Sequence, residues 1–351
     1  MFTLDLPRLK QQLDEANAKR VLFLLPEGVL DRYVDIENFF KSCDIETFIL
    51  GDEHWGGCDI PIEAFEDLSI DTIVSFGHTE YFRKDRERIL FFPMNFVHRL
   101  TEASMGNLLD PLVNGRFEKM SIAWSTEFQD YAQPILQFLE SKVNVSVPQS
   151  DYLVTAGQVL GCHYSKLTRQ EQDVDCFLVV SDAFHSSGLL YETVKPVFWF
   201  DPYNARLIDI SPWREPLIEK RRNLMETAMR SRRFGIVIEK RYGQQRVNLA
   251  RKLRSLLLEQ GYEVSLLYMS DVTPAKLQRY RPFIDIFVNT ACPRIESFEE
   301  SGVYVLNSEE TQIICGKVAF DEVYPGARGE LNHFKLRVSP QSGNVECGSV
   351  V

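Results

Sequence analysis

Seven cysteines lie at positions 43, 58, 162, 176, 292, 315 and 347, and three of them stand where a thiolate would be usable. Cys58 follows two glycines in "GDEHWGGCDI", Cys162 follows Gly161 in "GQVLGCHYSKL", and Cys292 closes the apolar run "IDIFVNTAC" ahead of Pro293 and Arg294. The bland reading of each is a packed thiol, because unpaired Cys behaves as a small hydrophobe. As a set, they would offer three soft sulfur donors, which suit an iron–sulfur cluster or zinc. Structural zinc sites normally take a fourth protein ligand and draw on close pairs such as C-x-x-C, and no such pair occurs here. A cluster held by three cysteines would leave one iron open to a substrate. The remaining four read as structural: Cys176 inside an apolar strand, Cys43 before one, Cys315 in "TQIICGK" and Cys347 in a polar tail.

The elements that must position these donors recur. "RVLFLLPEG" (20–28), "MSIAWSTEF" (120–128) and "RFGIVIEKRYG" (233–243) each read as a strand entering a turn, followed by a helical stretch. The clearest helix has apolar residues at Val247, Leu249, Leu253, Leu256 and Leu257 and stops at Gly261. Second strands follow at "TFILGD" (47–52) and "EVSLLY" (263–268), and each unit closes on an acidic-apolar strand: "IDTIVSFGH", "VDCFLVVSD" and "IDIFVNTAC". Glu27 to Asp71, Glu127 to Asp175 and Glu239 to Asp285 span 44, 48 and 46 residues, which marks a triplicated unit.

Strands alternating with helices predict an α/β protein of three similar small domains, each a parallel sheet flanked by helices. The boundaries are drawn at 1–114 with Cys58, 115–212 with Cys162, and 213–351 with Cys292 and the C-terminal tail. Cys58 and Cys162 each precede their unit's Asp by 13 residues, so they are one position of the repeat; the third copy has Val272 there. Cys292 instead occupies the strand end where the other copies carry His78 and Asp182. Ligand loops of open parallel sheets lie at the carboxyl ends of the strands. Three domains converging with those ends inward would bring the thiolates together around a central site.

Composition narrows the function classes. A net charge of −11 argues against a nucleic-acid binder, which needs surplus Lys and Arg. The basic run from Glu219 to Arg233 reads as the solvated face of a helix, with a patch for an acidic partner as the alternative. The amphipathic N-terminus has no apolar signal core, and no apolar run reaches the length of a membrane span, so a soluble, cytoplasmic protein is expected. Scattered cysteines in odd number argue against a disulfide framework.

"GDEHWGGCDI", "VSFGHTEYF", "GQVLGCHYSKL", "EKRYGQ" and "VNTACPRI" together resemble the diphthamide-synthesis radical enzymes, the 2-(3-amino-3-carboxypropyl)histidine synthases of the archaeal single-subunit type. The likeness runs from about residue 20 to 325, with the motifs in order. It implies one cysteine per domain on a single [4Fe-4S] cluster, with Cys58, Cys162 and Cys292 as the ligands. It implies that S-adenosylmethionine (SAM) binds the open iron and is cleaved at the sulfur–γ-carbon bond. The resulting 3-amino-3-carboxypropyl radical adds to C2 of a histidine of translation elongation factor 2, and methylthioadenosine is released. A homodimer and an external electron donor are also implied. One departure is that Trp55-Gly56-Gly57-Cys58 stands where the family more often shows Tyr-Gly-Ala-Cys; altered packing is expected, not lost function.

Supporting residues carry two readings each. Gln158 and Gln244 are SAM-contact candidates at loop positions, and Gly157, like Gly56, Gly57 and Gly161, permits close approach of backbone to a ligand or is a turn glycine. Arg294 pairs with the SAM carboxylate through its planar fork or forms a surface salt bridge. His78 touches SAM or the target loop, or is a hydrogen-bonded structural histidine. His54 and His163 are expected to be exposed, and Glu27, Glu127 and Glu239 to mark shared ancestry or helix N-termini. Two other functions stand beside the transferase: a non-catalytic scaffold or electron-relay subunit of a hetero-oligomer, and a zinc-dependent transferase on the same thiolates.

Overall fold

The computed structural model describes residues 2–80, 86–97, 100–114, 117–151, 154–293, 295, 298 and 301–327. Arg294 and Cys347 lie outside the described residues. The strands in chain order are β1 (Phe2–Thr3), β2 (Arg20–Leu24), β3 (Glu46–Ile49), β4 (Thr72–Phe76), β5 (Ile89–Phe92), β6 (Asn95–Phe96), β7 (Lys119–Trp124), β8 (Asn144–Ser146), β9 (Cys176–Val180), β10 (Val197–Asp201), β11 (Arg206–Asp209), β12 (Arg233–Glu239), β13 (Glu263–Met269), β14 (Ile286–Asn289) and β15 (Tyr304–Asn307).

They form three main sheets with one plan. The orders are β3-β2-β4-β5, β8-β7-β9-β10-β11 and β13-β12-β14-β15; every pairing is parallel except β10 with β11. β1 and β6 make a small antiparallel pair. In each sheet the first strand lies between the second and the third. The connections therefore leave on opposite faces at that point, opening a crevice at the carboxyl ends. The third strands β4, β9 and β14 are buried along their whole length, as expected of parallel strands covered on both faces. Fully buried phenylalanines such as Phe23, Phe177 and Phe287 anchor the three sheets, each contributing about 1.5–3 kcal/mol.

The recurring Asp has a structural role. Asp71 accepts from the backbone N–H of Lys19 and Arg20 at 2.7 and 2.9 Å, Asp175 from Glu118 and Lys119 at 2.9 and 3.0 Å, and Asp285 from Arg232 and Arg233 at 3.3 and 2.9 Å. One carboxylate per unit thus ties the start of the third strand to the start of the first.

A helix precedes the first strand of every unit: Leu6–Glu15, Glu102–Val113 and Arg214–Met229. Helix Glu102–Val113 packs on helix Gln129–Glu140 and on β11, so its packing belongs with the second unit, ahead of the 114/115 boundary. The first two units share one continuous core, from Leu9 and Phe23 through Leu109 to Ile122 and Phe128. The third unit has its own core, which takes in Ile218, Leu224 and Met225 of helix Arg214–Met229. That helix departs from the solvated face expected of the basic run. Arg221 and Arg222 are buried, because Arg221 makes a two-point ion pair with the fully buried Glu310, which also accepts from Tyr324.

Candidate metal centre

Each cysteine reaches the centre from the carboxyl end of a different sheet. Cys58 sits in the loop after β3, Cys162 in the loop after β8, and Cys292 in the turn after β14. All three line a single cavity of about 840 Å³. Cys162 is exposed, whereas Cys58 and Cys292 are half-buried. Asn289 Nδ2, at the end of β14, donates to the Cys292 carbonyl at 2.6 Å and fixes the turn that presents this thiol. Burial pushes the Cys58 thiol up to about 11; Gln244 lowers it and neighbouring Cys292 raises it further. A bound cation would reverse that shift, because metal ligation deprotonates the thiol.

Three soft thiols lining one cavity, with space beside them for a ligand, are a donor set that fits an iron–sulfur cluster with one open iron.

The Cys58 loop is bound to the third domain. Gln244 Nε2 lies 3.5 Å from Cys58 Sγ, and a Cβ on Gly243 would fall 2.2 Å from the Cys58 carbonyl oxygen. Gln244 is buried and lines the cavity, and its Oε1 has no hydrogen-bond partner. His78 also lines the cavity, with burial and then His54 keeping its imidazole neutral, its pKa well below the ordinary value. Gln158 and Gly157 do not line it. Gln158 is buried and committed to protein partners: its Nε2 donates to Thr79 and Thr126, and its Oε1 accepts from Thr155. Gly157, at φ +78°, makes room for the Trp124 ring, which an added Cβ would meet at 2.1 Å.

The flanking histidines differ from expectation. His54 is buried, with Nε2 2.9 Å from Ser75 Oγ and Nδ1 3.2 Å from the Asp59 carbonyl. Desolvation takes its pKa down to about 4. His163 is half-buried against Asp151 at 2.7 Å. The polar loops, which suggested exposure, fold back over these rings.

Residues given only a structural reading from sequence, or none, complete the walls. His185 holds Asp182 through Nδ1 at 2.8 Å, with Glu127 close by, and all three line the cavity. An imidazole backed by a carboxylate can accept a proton. Glu27 lines the cavity as well, whereas Glu239 is buried and pushed up to about 7 by desolvation. Arg241 joins Asp59 of the first domain to Asp271 of the third.

The fold and site define a class of triplicated α/β proteins in which each unit brings one cysteine to a shared cavity. Family comparison narrows it: residues 25–325 match the model described as "Putative diphthamide synthesis protein", and the chain belongs to that family. It is 30% identical to the 2-(3-amino-3-carboxypropyl)histidine synthase of Pyrococcus horikoshii, covering 93% of this chain and 96% of the relative. It is 26% identical to subunit 1 of the Saccharomyces cerevisiae synthase, covering 84% and 70% respectively. The crystal structure of Pyrococcus horikoshii Dph2 with a 4Fe-4S cluster superposes with a TM-score of 0.77, at 25% identity, over 92% of this chain and 95% of that one.

Proposed function

We propose that this chain catalyses the first step of diphthamide biosynthesis. It transfers the 3-amino-3-carboxypropyl group from SAM to C2 of a histidine of translation elongation factor 2 and releases methylthioadenosine. The observation that carries this reading is the convergence of Cys58, Cys162 and Cys292 on one cavity in a chain whose relatives are named for that synthesis. Those three residues would hold a [4Fe-4S] cluster. When bound, it supplies the electron that cleaves the sulfur–γ-carbon bond, an electron drawn from an external donor.

The chain's own residues do the rest. Gln244 lines the ligand space and carries a buried carbonyl oxygen that has no hydrogen-bond partner. His78, neutral and half-enclosed, offers a wall that adds no positive charge against the sulfonium. Phe184 and Tyr203 put flat aromatic surface into the cavity for a purine or an imidazole. His185 with Asp182 can take up the proton released as the C2–H bond gives way to the new C2–C bond. The transfer is redox-neutral overall, because the electron that starts it is given back from the adduct. Arg294 is retained as a candidate partner for the SAM carboxylate, and Gln158 and Gly157 as residues that shape the wall behind it.

A homodimer is part of the proposal. β13 is an edge strand that leaves Leu266 and Tyr268 exposed, a surface that invites pairing with another edge. The scaffold or relay reading draws on the relative named as a subunit. Incubating the anaerobically reconstituted single chain with SAM, a reductant and elongation factor 2 separates the readings. Methylthioadenosine release with label transfer to the factor is expected; release of neither, with the cluster intact, would leave the chain a subunit that needs a partner.

A further inference from the structure

Arg241 stands at the boundary between the first and third domains, beside a cysteine that it does not touch. Its Nη2 donates to Asp271 Oδ1 of its own domain at 2.7 Å, and Lys276 grips the other oxygen of that carboxylate. Its Nη1 crosses the boundary to Asp59 Oδ2 at 3.1 Å. The guanidinium carbon lies 5.0 Å from the centre of the Trp55 ring, within the range of a cation–π contact.

Asp59 is the residue after Cys58, and it closes the turn that carries the thiol. The same Oδ2 accepts from the Trp55 backbone N–H at 3.1 Å, and the Asp59 N–H donates to the Gly56 carbonyl at 2.9 Å. The turn from Trp55 to Asp59 is therefore held from inside by Asp59 and from outside by Arg241. With Asp59 only 6% exposed and the arginine side chain 15% exposed, this contact is shielded from solvent, and removing the guanidinium would leave a buried carboxyl without its partner. Gly243 and Gln244, two and three residues further on, touch Cys58 itself.

We infer that Arg241 is the positioning residue for Cys58: braced by Asp271, it grips Asp59 across the domain boundary and sets where the first domain's thiolate stands relative to the third domain's Cys292. The ring of Trp55 forms the flat bed on which the guanidinium rests. The inference rests on the proposed ligand role of Cys58.

The test compares Arg241→Gln and Arg241→Lys with the parent. In the metal-free full-length chain, brief iodoacetamide labelling read by peptide mass spectrometry gives the accessibility of each thiol. Loss of the clamp should speed Cys58 labelling about ten-fold, the equivalent of 1.4 kcal/mol, while Cys162 and the core residue Cys176 keep their rates. Arg241→Lys, which keeps the charge but not the fork, should fall between. In the reconstituted chain, Arg241→Gln should shift the cluster's midpoint potential and change the line shape of its reduced-state EPR signal. The inference is overturned if Cys58 labelling is unchanged, or if Cys58 and Cys176 accelerate together, which would show general loosening. Failure of the parent to hold any cluster would defeat the proposed function, while the labelling comparison would still judge the clamp.

Discussion

At the scale of single residues, the cysteines divide by what surrounds them. Cys176 is fully buried at the start of β9, Cys315 is buried in the third unit's core, and Cys43 points its thiol at the Phe39 carbonyl. Cys58, Cys162 and Cys292 line the cavity instead. That division was legible in sequence, because glycine-flanked and strand-end positions differ from the middle of an apolar run. The contacts of Arg241 were not, since Asp59 lies 182 positions away and nothing local marks it as a partner. Gln158 shows the same limit: its partners Thr79 and Thr126 arrive from other elements and could not be read from its own loop. Gly243 gives a residue-scale prediction. Its α-carbon abuts the Cys58 backbone, which cannot swing aside as a side chain would. Gly243→Ala should cost about 1–3 kcal/mol in denaturant unfolding and lower the iron retained per chain, whereas Gly28→Ala, which meets open space, should keep its iron.

At the scale of elements, the first and third strands of each unit announced themselves as apolar runs ending in turns, as did the second strands β3 and β13 but not the short β8. The fourth strands β5, β10 and β15 were not read, and neither was β11. Their runs are short or interrupted, as in "PVFWFDPYNARLID", where the β10–β11 hairpin turns through Asp201 and Ala205. The repeated Asp was visible as a register mark, but its task appears only when strands more than 50 residues apart lie side by side. Asp285 is held down to about 2, first by its hydrogen bond from Arg233, with the backbone N–H donors adding to it. A carboxyl whose pKa falls on folding stabilises the fold above its unfolded value near 3.8 and loses that contribution as pH drops toward 2. Asp285→Asn should therefore cost about 1–2 kcal/mol at neutral pH and flatten the acid limb of the stability profile between about pH 4 and 2. Chemical denaturation across that range checks it; an unchanged acid limb would remove Asp285 from the account.

At the scale of the whole molecule, three similar units are made unequal by what fills their seams. The first two share a core, and the third meets the first at the Cys58 loop and the second at Tyr191 and Leu190, and carries its own buried Arg221–Glu310–Tyr324 network. Removing the carboxylate strands a buried guanidinium, so Glu310→Ala should lower stability by about 3–5 kcal/mol, read from the shift in its denaturant midpoint. Threefold repetition explains how residues so far apart in sequence meet: each sheet delivers its carboxyl end to the same space, and no local motif has to gather the cysteines. Among the described residues no helix is long and apolar enough to cross a membrane. The account stands most directly on what the convergent thiols hold. Iron and sulfide measured per chain after anaerobic reconstitution should give about four of each, with Cys58→Ala, Cys162→Ala and Cys292→Ala losing them and Cys176→Ala keeping them. One zinc per chain, or a full cluster surviving loss of any of the three, would contradict it.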